Sequence, residues 1–252
     1  MSAPWLVLDT ATPVATVAVV DIPGGGVRAE HVLSETKKHA EGLMDAIDRA
    51  LLAAGVAFDE IVGVGVGRGP GSFIGVRTGI ATAKGLVLGR AHSSRPLPLV
   101  GLPTLLAVAR TVVASGTALP MGRGLAVIDA KRGELYAQLL KQPAAGEGAV
   151  RVVEPAAALS PGEVASWARG LAFVVGVGVQ LEGSSSDGDA PLFFPCASPA
   201  GAGLASVLAS IAASAGGVVD ELESLAPDYC RAPDAKLPTI APGARRGIVD
   251  LG

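Results

Sequence analysis

The sequence predicts a two-lobed α/β protein, and three observations carry that prediction. Apolar strand patterns lead repeatedly into helical patterns along the 252 residues. A meander of short apolar strands opens the chain, as in an antiparallel sheet. A second hairpin of the same plan follows later, because WLVLDTATPVATVAVV and LAVIDAKRGELYAQLL both give strand, aspartate, turn and strand. A fold duplicated in tandem produces such a repetition, although two hairpins of this kind also arise by chance in α/β proteins.

The first half is predicted to contain four strands and two helices. In chain order they are Trp5–Leu8, Val14–Val20, Val27–Leu33, a helix from Leu43 to Ala54, Ile61–Val66 and a helix over Ser72–Leu88. The first helix is indicated by apolar residues at three- and four-residue steps, and Gly55 stands where a C-terminal cap is expected. Glycines and a proline between the last strand and the second helix predict a loop there.

The second half is predicted to repeat the alternation of helices and strands. Its elements are Thr104–Ala114 (helix), Leu125–Ile128 and Glu134–Leu140 (strands), Pro161–Arg169 (helix), Phe173–Val179 (strand) and a last helix with apolar residues Leu204, Val207, Leu208 and Ile211. A polar loop is expected at residues 183–189. The predicted lobes are residues 1–104 and 105–237, and residues 238–252, rich in Pro, Gly and Arg, are expected to form a loose tail.

The composition excludes several classes of protein. Half of the residues are apolar and 17% are charged, which is typical of a globular chain with a sizeable core. The net charge of −3 does not favour direct, strong binding to nucleic acid. Cys196 and Cys230 are expected to be reduced thiols, and Met1–Trp5 lacks the pattern of a signal peptide. Pro191–Val219 carries no charge, but its Ala, Gly and Ser content favours a soluble helix over a membrane span, so a cytoplasmic protein is expected.

A glycine-rich loop, Gly67–Gly71, leads into the second helix, where Ser72 is the predicted N-cap. A helix N-terminus after such a loop can hold an anion. However, no GxxxxGK[ST] phosphate loop is present, and Gly69, Gly71 and Gly75 give GxGxxxG, one residue longer than the dinucleotide fingerprint. A purely structural loop therefore explains the pattern at least as well as a phosphate site does.

The second helix carries a ridge of small residues, with Gly71, Gly75, Gly79 and Ala83 at four-residue steps. Each interior glycine costs about 0.8–1 kcal/mol relative to alanine. A sequence that keeps two of them indicates that another element approaches this ridge closely. That neighbour belongs either to this chain or to a second subunit, and the pattern alone favours neither.

Residues 69–86, GPGSFIGVRTGIATAKGL, resemble the GPGSFTGxRxGxxxAKGLA signature of the TsaB family, also called YeaZ. Further segments agree with the family in order and place, namely LDTAT, IDRALLAAG, AVIDAKRGELYA and PDYCR. The resemblance thus extends over most of the chain. It departs at Ile74, where the family usually has threonine, so a polar contact of that hydroxyl is lost here.

The resemblance implies an actin-like, ATPase-type (ASKHA) fold of two lobes with duplicated mixed-sheet subdomains. It also implies a chain without a catalytic site of its own. Family members pair with TsaD, which holds the metal and the catalytic site, and a small ATPase, TsaE, joins them to transfer a threonylcarbamoyl group onto an adenosine of tRNA. A homodimer is implied for the isolated chain, with no required cofactor and at most weak contact with ATP or ADP.

The resemblance further implies a partner surface on the first two helices of the N-terminal lobe. The candidate residues are Gly71, Ser72, Phe73, Gly75, Arg77, Gly79, Lys84, Leu43 and Ile47. This surface favours an intermolecular role for the glycine ridge. Replacing Gly75 or Gly79 with leucine is accordingly expected to weaken association more than it unfolds the monomer.

Two aspartates are the remaining candidates for chemistry. Asp9 and Asp129 end predicted strands, where actin-like folds place groups that face a phosphate and its cation, and the alternative is that each bonds its own turn. His31, His39 and His92 lack the i, i+4 spacing of a helical metal pair, so no metal site is expected. The interpretation is a non-catalytic partner of TsaD, and the alternative is an independent actin-like nucleotide hydrolase or kinase.

Overall fold

The structure, a computed structural model, describes residues 2–24, 26–33, 39–90, 96–179, 190–213 and 222–230. The predicted tail at 238–252 and the polar loop at 183–189 lie outside the described residues. Within the described ranges, no helix is both long enough and apolar enough to cross a membrane.

Five strands form the first sheet, in the order β3-β2-β1-β4-β5. They are β1 Ala3–Asp9, β2 Ala15–Ile22, β3 Val27–Leu33, β4 Val64–Gly69 and β5 Leu99–Pro103. The three strands β1 to β3 form the predicted antiparallel meander, whereas β4 runs parallel to β1 and β5 parallel to β4. Since parallel strands end at the same edge of a sheet, Asp9 lies beside the glycine-rich loop that follows β4.

The second sheet repeats this plan, in the order β11-β10-β6-β7-β8, with β9 also paired to β7. Its strands are β6 Gly122–Lys131, β7 Glu134–Gln142, β8 Arg151–Val152, β9 Ala157–Leu159, β10 Phe173–Val177 and β11 Leu192–Cys196. The central strand β6 is antiparallel to β7 and parallel to β10, which is in turn parallel to β11. The predicted duplication of mixed-sheet subdomains is therefore confirmed.

Among the described residues, five helices cover and join the sheets, in addition to a short 3-10 turn at Phe58–Glu60. They are α1 His39–Ala54, α2 Phe73–Gly89, α3 Thr104–Ala114, α4 Pro161–Ala168 and α5 Gly201–Ala213. Helices α1 and α2 pack on one face of the first sheet, and α4 packs on one face of the second. The opposite faces of both sheets share a single core with α3 and α5, and each of these two helices contacts the sheet of the other half. The lobe boundary at residue 104 stays a prediction, since this helix pair belongs to both lobes.

Four strands that the sequence pattern did not predict are β5, β8, β9 and β11. Strand β5 follows Pro98 and ends at Pro103, and these prolines suggested a loop because proline lacks the N–H that a ladder needs. Strand β11 contains Pro195. Both strands lie at the edge of their sheets, where proline is tolerated. Strands β8 and β9, with two and three residues, are too short to give a pattern.

Candidate partner surface and inter-lobe cavity

The start of α2 is tied to the β1–β2 turn. The Ser72 hydroxyl accepts a hydrogen bond from the Gly75 N–H at 3.2 Å, which confirms the predicted N-cap. The Ser72 N–H donates to the carbonyl of Ala11 at 2.7 Å. The cap thus uses the serine hydroxyl for structure and fixes the glycine-rich loop against the neighbouring turn.

The glycine ridge of α2 faces that same turn. A Cβ added at Gly75 would overlap the carbonyl oxygen of Thr10. At Gly79 it would overlap the hydroxyl of the same threonine, and at Gly71 the carbonyl of Ala11. The Thr10 hydroxyl also donates to the Gly75 carbonyl at 2.7 Å. The prediction that these glycines admit a second subunit is wrong, because their missing side chains let the turn of their own lobe reach the helix backbone.

Asp9 is fully buried beneath this turn. Its Oδ1 accepts the Ala11 N–H at 2.8 Å, and its Oδ2 accepts the Thr104 hydroxyl at 2.7 Å. The Thr104 oxygen in turn accepts the Gly69 N–H at 3.2 Å. Burial raises the pKa of Asp9 to about 6, and the two hydrogen bonds offset only part of this effect. The carboxylate therefore ties β1, the glycine-rich loop and α3 together and is closed to a ligand.

Asp129 ends the corresponding strand of the second lobe, and its side chain is 32% exposed. Lys131 donates to it twice, from its N–H at 2.7 Å and from Nζ at 2.7 Å. Partial burial acts to raise the pKa of Asp129, but the bonds from Lys131 and its charge outweigh burial and lower the pKa. The aspartate bonds its own turn, which was the structural alternative at this position.

Residues 222–230, here termed the strap, run from the first lobe to the second. The Asp228 N–H donates to the Arg68 carbonyl at 2.7 Å, and the Asp228 carboxylate pairs with the Arg68 guanidinium at 3.0 Å. At the end of the strap, the Cys230 thiol donates to the Ala156 carbonyl of the second lobe at 3.4 Å. The strap therefore holds the two lobes together on one side of the molecule.

An aromatic and cationic cluster joins the strap to α2. The Arg77 guanidinium carbon lies 4.0 Å from the centroid of the Phe73 ring, and Arg77 Nε donates to the Tyr229 hydroxyl at 2.6 Å. The Phe73 and Tyr229 ring centroids are 5.4 Å apart. The strap thus fixes the orientation of Phe73 and Arg77, two of the predicted partner-binding residues.

The solvent side of α2 is largely apolar, and α1 adds exposed apolar residues beside its exposed Asp45–Arg49 ion pair. Met44, Leu52, Ile74 and Leu88 are between 49% and 83% exposed, and Ala81 lies exposed between the last two. These five residues are termed the outer face. Ile74, Ala81 and Leu88 are seven residues apart and therefore share one side of α2. Beside them, a Cβ added at Gly85 would meet nothing within 4 Å, so the helix backbone is open to an approaching element.

A cavity of about 570 Å³ lies between the lobes, beside the strap. The first lobe lines it with the end of β4 and Pro103, and the second lobe lines it with Gln138 of β7 and residues 152–156. The strap contributes residues 227–230. Neither Asp9 nor Asp129 lines the cavity, so the two predicted nucleotide residues do not meet there.

Comparison with known proteins places the chain in a family. A family model described as TsaD, tRNA N6-adenosine threonylcarbamoyltransferase, matches residues 23–244. The tRNA threonylcarbamoyladenosine biosynthesis protein TsaB of Escherichia coli (strain K12) is 37% identical over 131 residues. The chain belongs to this family, in its TsaB (YeaZ) branch. The chain spans about half the length of the E. coli relative, since the match covers 52% of each protein.

Further relatives match over nearly the whole chain. An uncharacterized protein of Mycobacterium tuberculosis (strain H37Rv) is 30% identical over 234 residues, which are 92% of this chain and 93% of that protein. A crystal structure of an uncharacterized protein with similarity to peptidase YEAZ from Pseudomonas aeruginosa gives a TM-score of 0.72 at 28% identity, covering 91% of this chain and 100% of that one. YeaZ from Pseudomonas aeruginosa gives 0.66 at 24% identity, covering 90% and 99%. These structures confirm the predicted fold.

Four of the nine predicted partner-binding residues lie inside the lobe. Leu43 and Ile47 are each 1% exposed and pack in the core between α1 and the first sheet. Gly75 and Gly79 are buried against the β1–β2 turn. Placing these four on the partner surface of a TsaB-type protein is therefore wrong. An apolar stripe on a helix normally marks the face that packs on the sheet. The sequence pattern does not distinguish that buried face from a second apolar face turned to solvent.

The remaining predicted partner residues of the TsaB signature lie on or near the surface. Ser72, Phe73 and Arg77 are exposed, Lys84 is half-buried and Gly71 lines the junction with the turn. Their role in binding stays a prediction. Ile74, the position that departs from the family pattern, is 74% exposed and enlarges the outer face with an apolar side chain.

Three residues that sequence reasoning missed hold this region together. Thr10 contacts the glycine ridge, Thr104 bonds Asp9, and Tyr229 bonds Arg77. Thr10 lies within LDTAT and Tyr229 within PDYCR, two segments that resemble the TsaB family. The resemblance thus pointed to both residues but did not show what either of them contacts. Thr104 follows Pro103, and the sequence predicts for it only the start of a helix.

Proposed function

We propose that the chain is a non-catalytic partner of a TsaD-like catalytic subunit in the threonylcarbamoylation of tRNA adenosine. The observation that carries this proposal is the outer face of α1 and α2. Large apolar side chains exposed on two helices of the same lobe mark a surface that binds another protein. Ala81 and Gly85 at its centre let a partner helix approach closely, because contact distance depends on side-chain size.

Three described groups that could act as nucleophile or base, those of Ser72, Asp9 and Cys230, are held by the fold. The Ser72 hydroxyl caps α2, and Asp9 is closed over by its own turn. Burial raises the pKa of the Cys230 thiol to about 11, and the charge of Asp228 adds to this, so the thiol stays protonated at neutral pH. These contacts support a role in which the partner supplies the chemistry.

The proposal extends to the assembly and its location. A TsaE-like ATPase joins the pair, and in the absence of a TsaD-like subunit the outer face pairs with a second copy of itself, as two-fold symmetry allows. The chain requires no cofactor, and contact with ATP or ADP is weak. The complex works in the cytoplasm, where the net charge of −3 leaves tRNA binding to the other subunits.

Reconstitution with purified subunits tests this function. Threonylcarbamoyladenosine in tRNA is measured by mass spectrometry for the chain alone, for the TsaD-like and TsaE-like subunits alone, and for all three together. The chain alone is expected to leave tRNA unmodified, and its addition to the other two is expected to restore modification. Robust modification by the chain without the TsaD-like subunit would contradict the proposal.

Calorimetry with ATP and magnesium separates the proposal from an independent nucleotide hydrolase or kinase. The proposal predicts weak binding at most and no turnover by the isolated chain. Tight binding with turnover would favour the alternative. Because this measurement needs no partner, it decides between the two functions even if a suitable TsaD-like subunit fails to express.

A further inference from the structure

The inter-lobe cavity has the dimensions of a small-molecule site. Its volume of about 570 Å³ lies within the roughly 300–1,000 Å³ that ligand pockets occupy. Both lobes and the strap contribute to its wall, so a ligand held there contacts all three parts of the chain. The proposed docking on the outer face does not use it.

Prolines in the wall of the cavity leave it with more backbone acceptors than backbone donors. Four of the lining residues are prolines, Pro70, Pro103, Pro155 and Pro227. Proline offers a backbone carbonyl but no N–H. The thiol of Cys230 also lines the cavity, but it donates to the carbonyl of Ala156 within the protein. Arg68 and Tyr229 also line the cavity, where Arg68 pairs with Asp228 and the Tyr229 hydroxyl accepts from Arg77. A ligand with donors of its own therefore suits the proline part of this wall.

Gln138 supplies an acceptor that no described residue satisfies. Gln138 lines the cavity from β7 and is 7% exposed, and its Oε1 has no hydrogen-bond partner among the described residues. A buried polar atom without a partner costs stability. The terminal torsion of glutamine is broad and roughly two-fold, so the amide oxygen can turn toward the cavity. A donor on a bound ligand would satisfy it.

The charged residues that line the cavity carry a net negative charge. Arg68 and Asp228 neutralise each other through the 3.0 Å pair between Nε and Oδ2. Glu154 also lines the cavity, is exposed, and makes no ion pair with a described residue. A positively charged group therefore gains from entering, and a polyphosphate is repelled.

We propose that the cavity binds a small organic cation, an ammonium or guanidinium group on a short carbon chain. The Glu154 carboxylate faces the positive charge, and the Gln138 oxygen and proline carbonyls accept hydrogen bonds from its N–H groups. The proline rings contact the carbon chain. This site goes beyond the proposed function, and it holds whether or not the outer face binds a TsaD-like subunit.

Titration calorimetry of the full chain with three four-carbon probes tests the proposal. The probes are the diamine putrescine, the diol of the same length and the dicarboxylate succinate. Putrescine is expected to bind saturably at one site, and the diol and succinate are expected to give no saturable heat. Binding of the diol or of succinate with equal affinity, or absence of putrescine binding, would overturn the proposal.

Two variants in the cavity wall and one control locate the site. Glu154→Gln and Gln138→Met are expected to weaken putrescine binding, the former by about tenfold because a charge-assisted contact is lost. Glu223→Gln removes an exposed carboxylate of the strap that does not line the cavity, and it is expected to leave the affinity unchanged. Equal loss in the control, or no loss in Glu154→Gln, marks non-specific attraction and refutes the site. Should Gln138→Met fail to fold, the surface variant Glu154→Gln still decides.

Discussion

The hairpins that open the two lobes share one plan and end in opposite environments. In the first lobe, Asp9 is fully buried and its pKa is raised by burial to about 6. In the second, the side chain of Asp129 is 32% exposed, and bonds from Lys131 lower its pKa. The first turn is closed over by the glycine ridge of α2, whereas the residues of the second turn, 131–133, are exposed to solvent.

An aspartate at the end of a central strand therefore does not by itself mark a nucleotide site. Asp9 bonds residues of the β1–β2 turn and of α3 inside the protein, whereas Asp129 bonds its own turn at the surface. Which of these roles the aspartate takes depends on the element packed over it. For the first hairpin, that element is held close by glycines more than sixty residues away in sequence, at Gly71 to Gly79.

The largest expected effect comes from blocking the closure of the first turn. Gly75→Ala places a Cβ against the carbonyl of Thr10 and is expected to lower the free energy of unfolding by about 3 kcal/mol or more, because backbone has to move. Gly85→Ala, on the same helix, meets open space and is expected to raise it by about 0.5–1 kcal/mol. Urea denaturation measures both. Equal effects at the two positions would break the comparison, as would a Gly75→Ala variant of normal stability with weaker association.

The next effect is the pH dependence that Asp9 confers. The unfolded aspartate ionises near 3.8 and the folded one near 6, so stability falls as pH rises through this window, by about 3 kcal/mol in total. Asp9→Asn lacks that fall. The variant also loses an acceptor for Thr104, which gives a pH-independent offset. The quantity to compare is therefore the free energy of unfolding of the variant minus that of the parent. This difference is expected to rise between pH 4 and pH 7, because only the parent loses stability over that range. Parallel profiles over that range would contradict burial of an ionisable Asp9.

The smallest effect is expected at the second hairpin. The pKa of Asp129 is lowered in the folded state, so its contribution is present above the unfolded value and is lost as pH falls through the folded one. Because Asp129 and Lys131 are partly exposed, Asp129→Asn is expected to cost less than about 1 kcal/mol at pH 7. Added salt is expected to reduce this loss of stability further, because it screens exposed ion pairs. A loss as large as that of the first hairpin would show that the two turns are equivalent after all.

Much of this fold was accessible from the sequence, and the reasons for the failures are specific. Strand and helix periodicity gave β1 to β4 and α1 to α3, and the repeated hairpin indicated the duplicated sheets. Periodicity did not reveal which element packs against the glycine ridge. Small residues show that some element can approach closely, but they do not show which one. Periodicity placed Leu43 and Ile47 on the correct helix but on the wrong side of it for a partner. Gln138 stood unremarked within a predicted strand, since only the assembled lobes create the cavity that it lines.

The outer face of α1 and α2 is proposed to bind the TsaD-like subunit, while the glycine ridge serves the monomer. Ala81→Glu puts a charge at the middle of that face, and Ala165→Glu makes the same change at an exposed position of α4. The most direct measurement is the dissociation constant of each variant with the TsaD-like subunit. Ala81→Glu is expected to bind about a hundredfold more weakly, because the contact would bury an unpaired charge, and its thermal unfolding is expected to be unaltered. Ala165→Glu is expected to leave the dissociation constant unchanged. An unchanged constant for Ala81→Glu would contradict binding through the outer face.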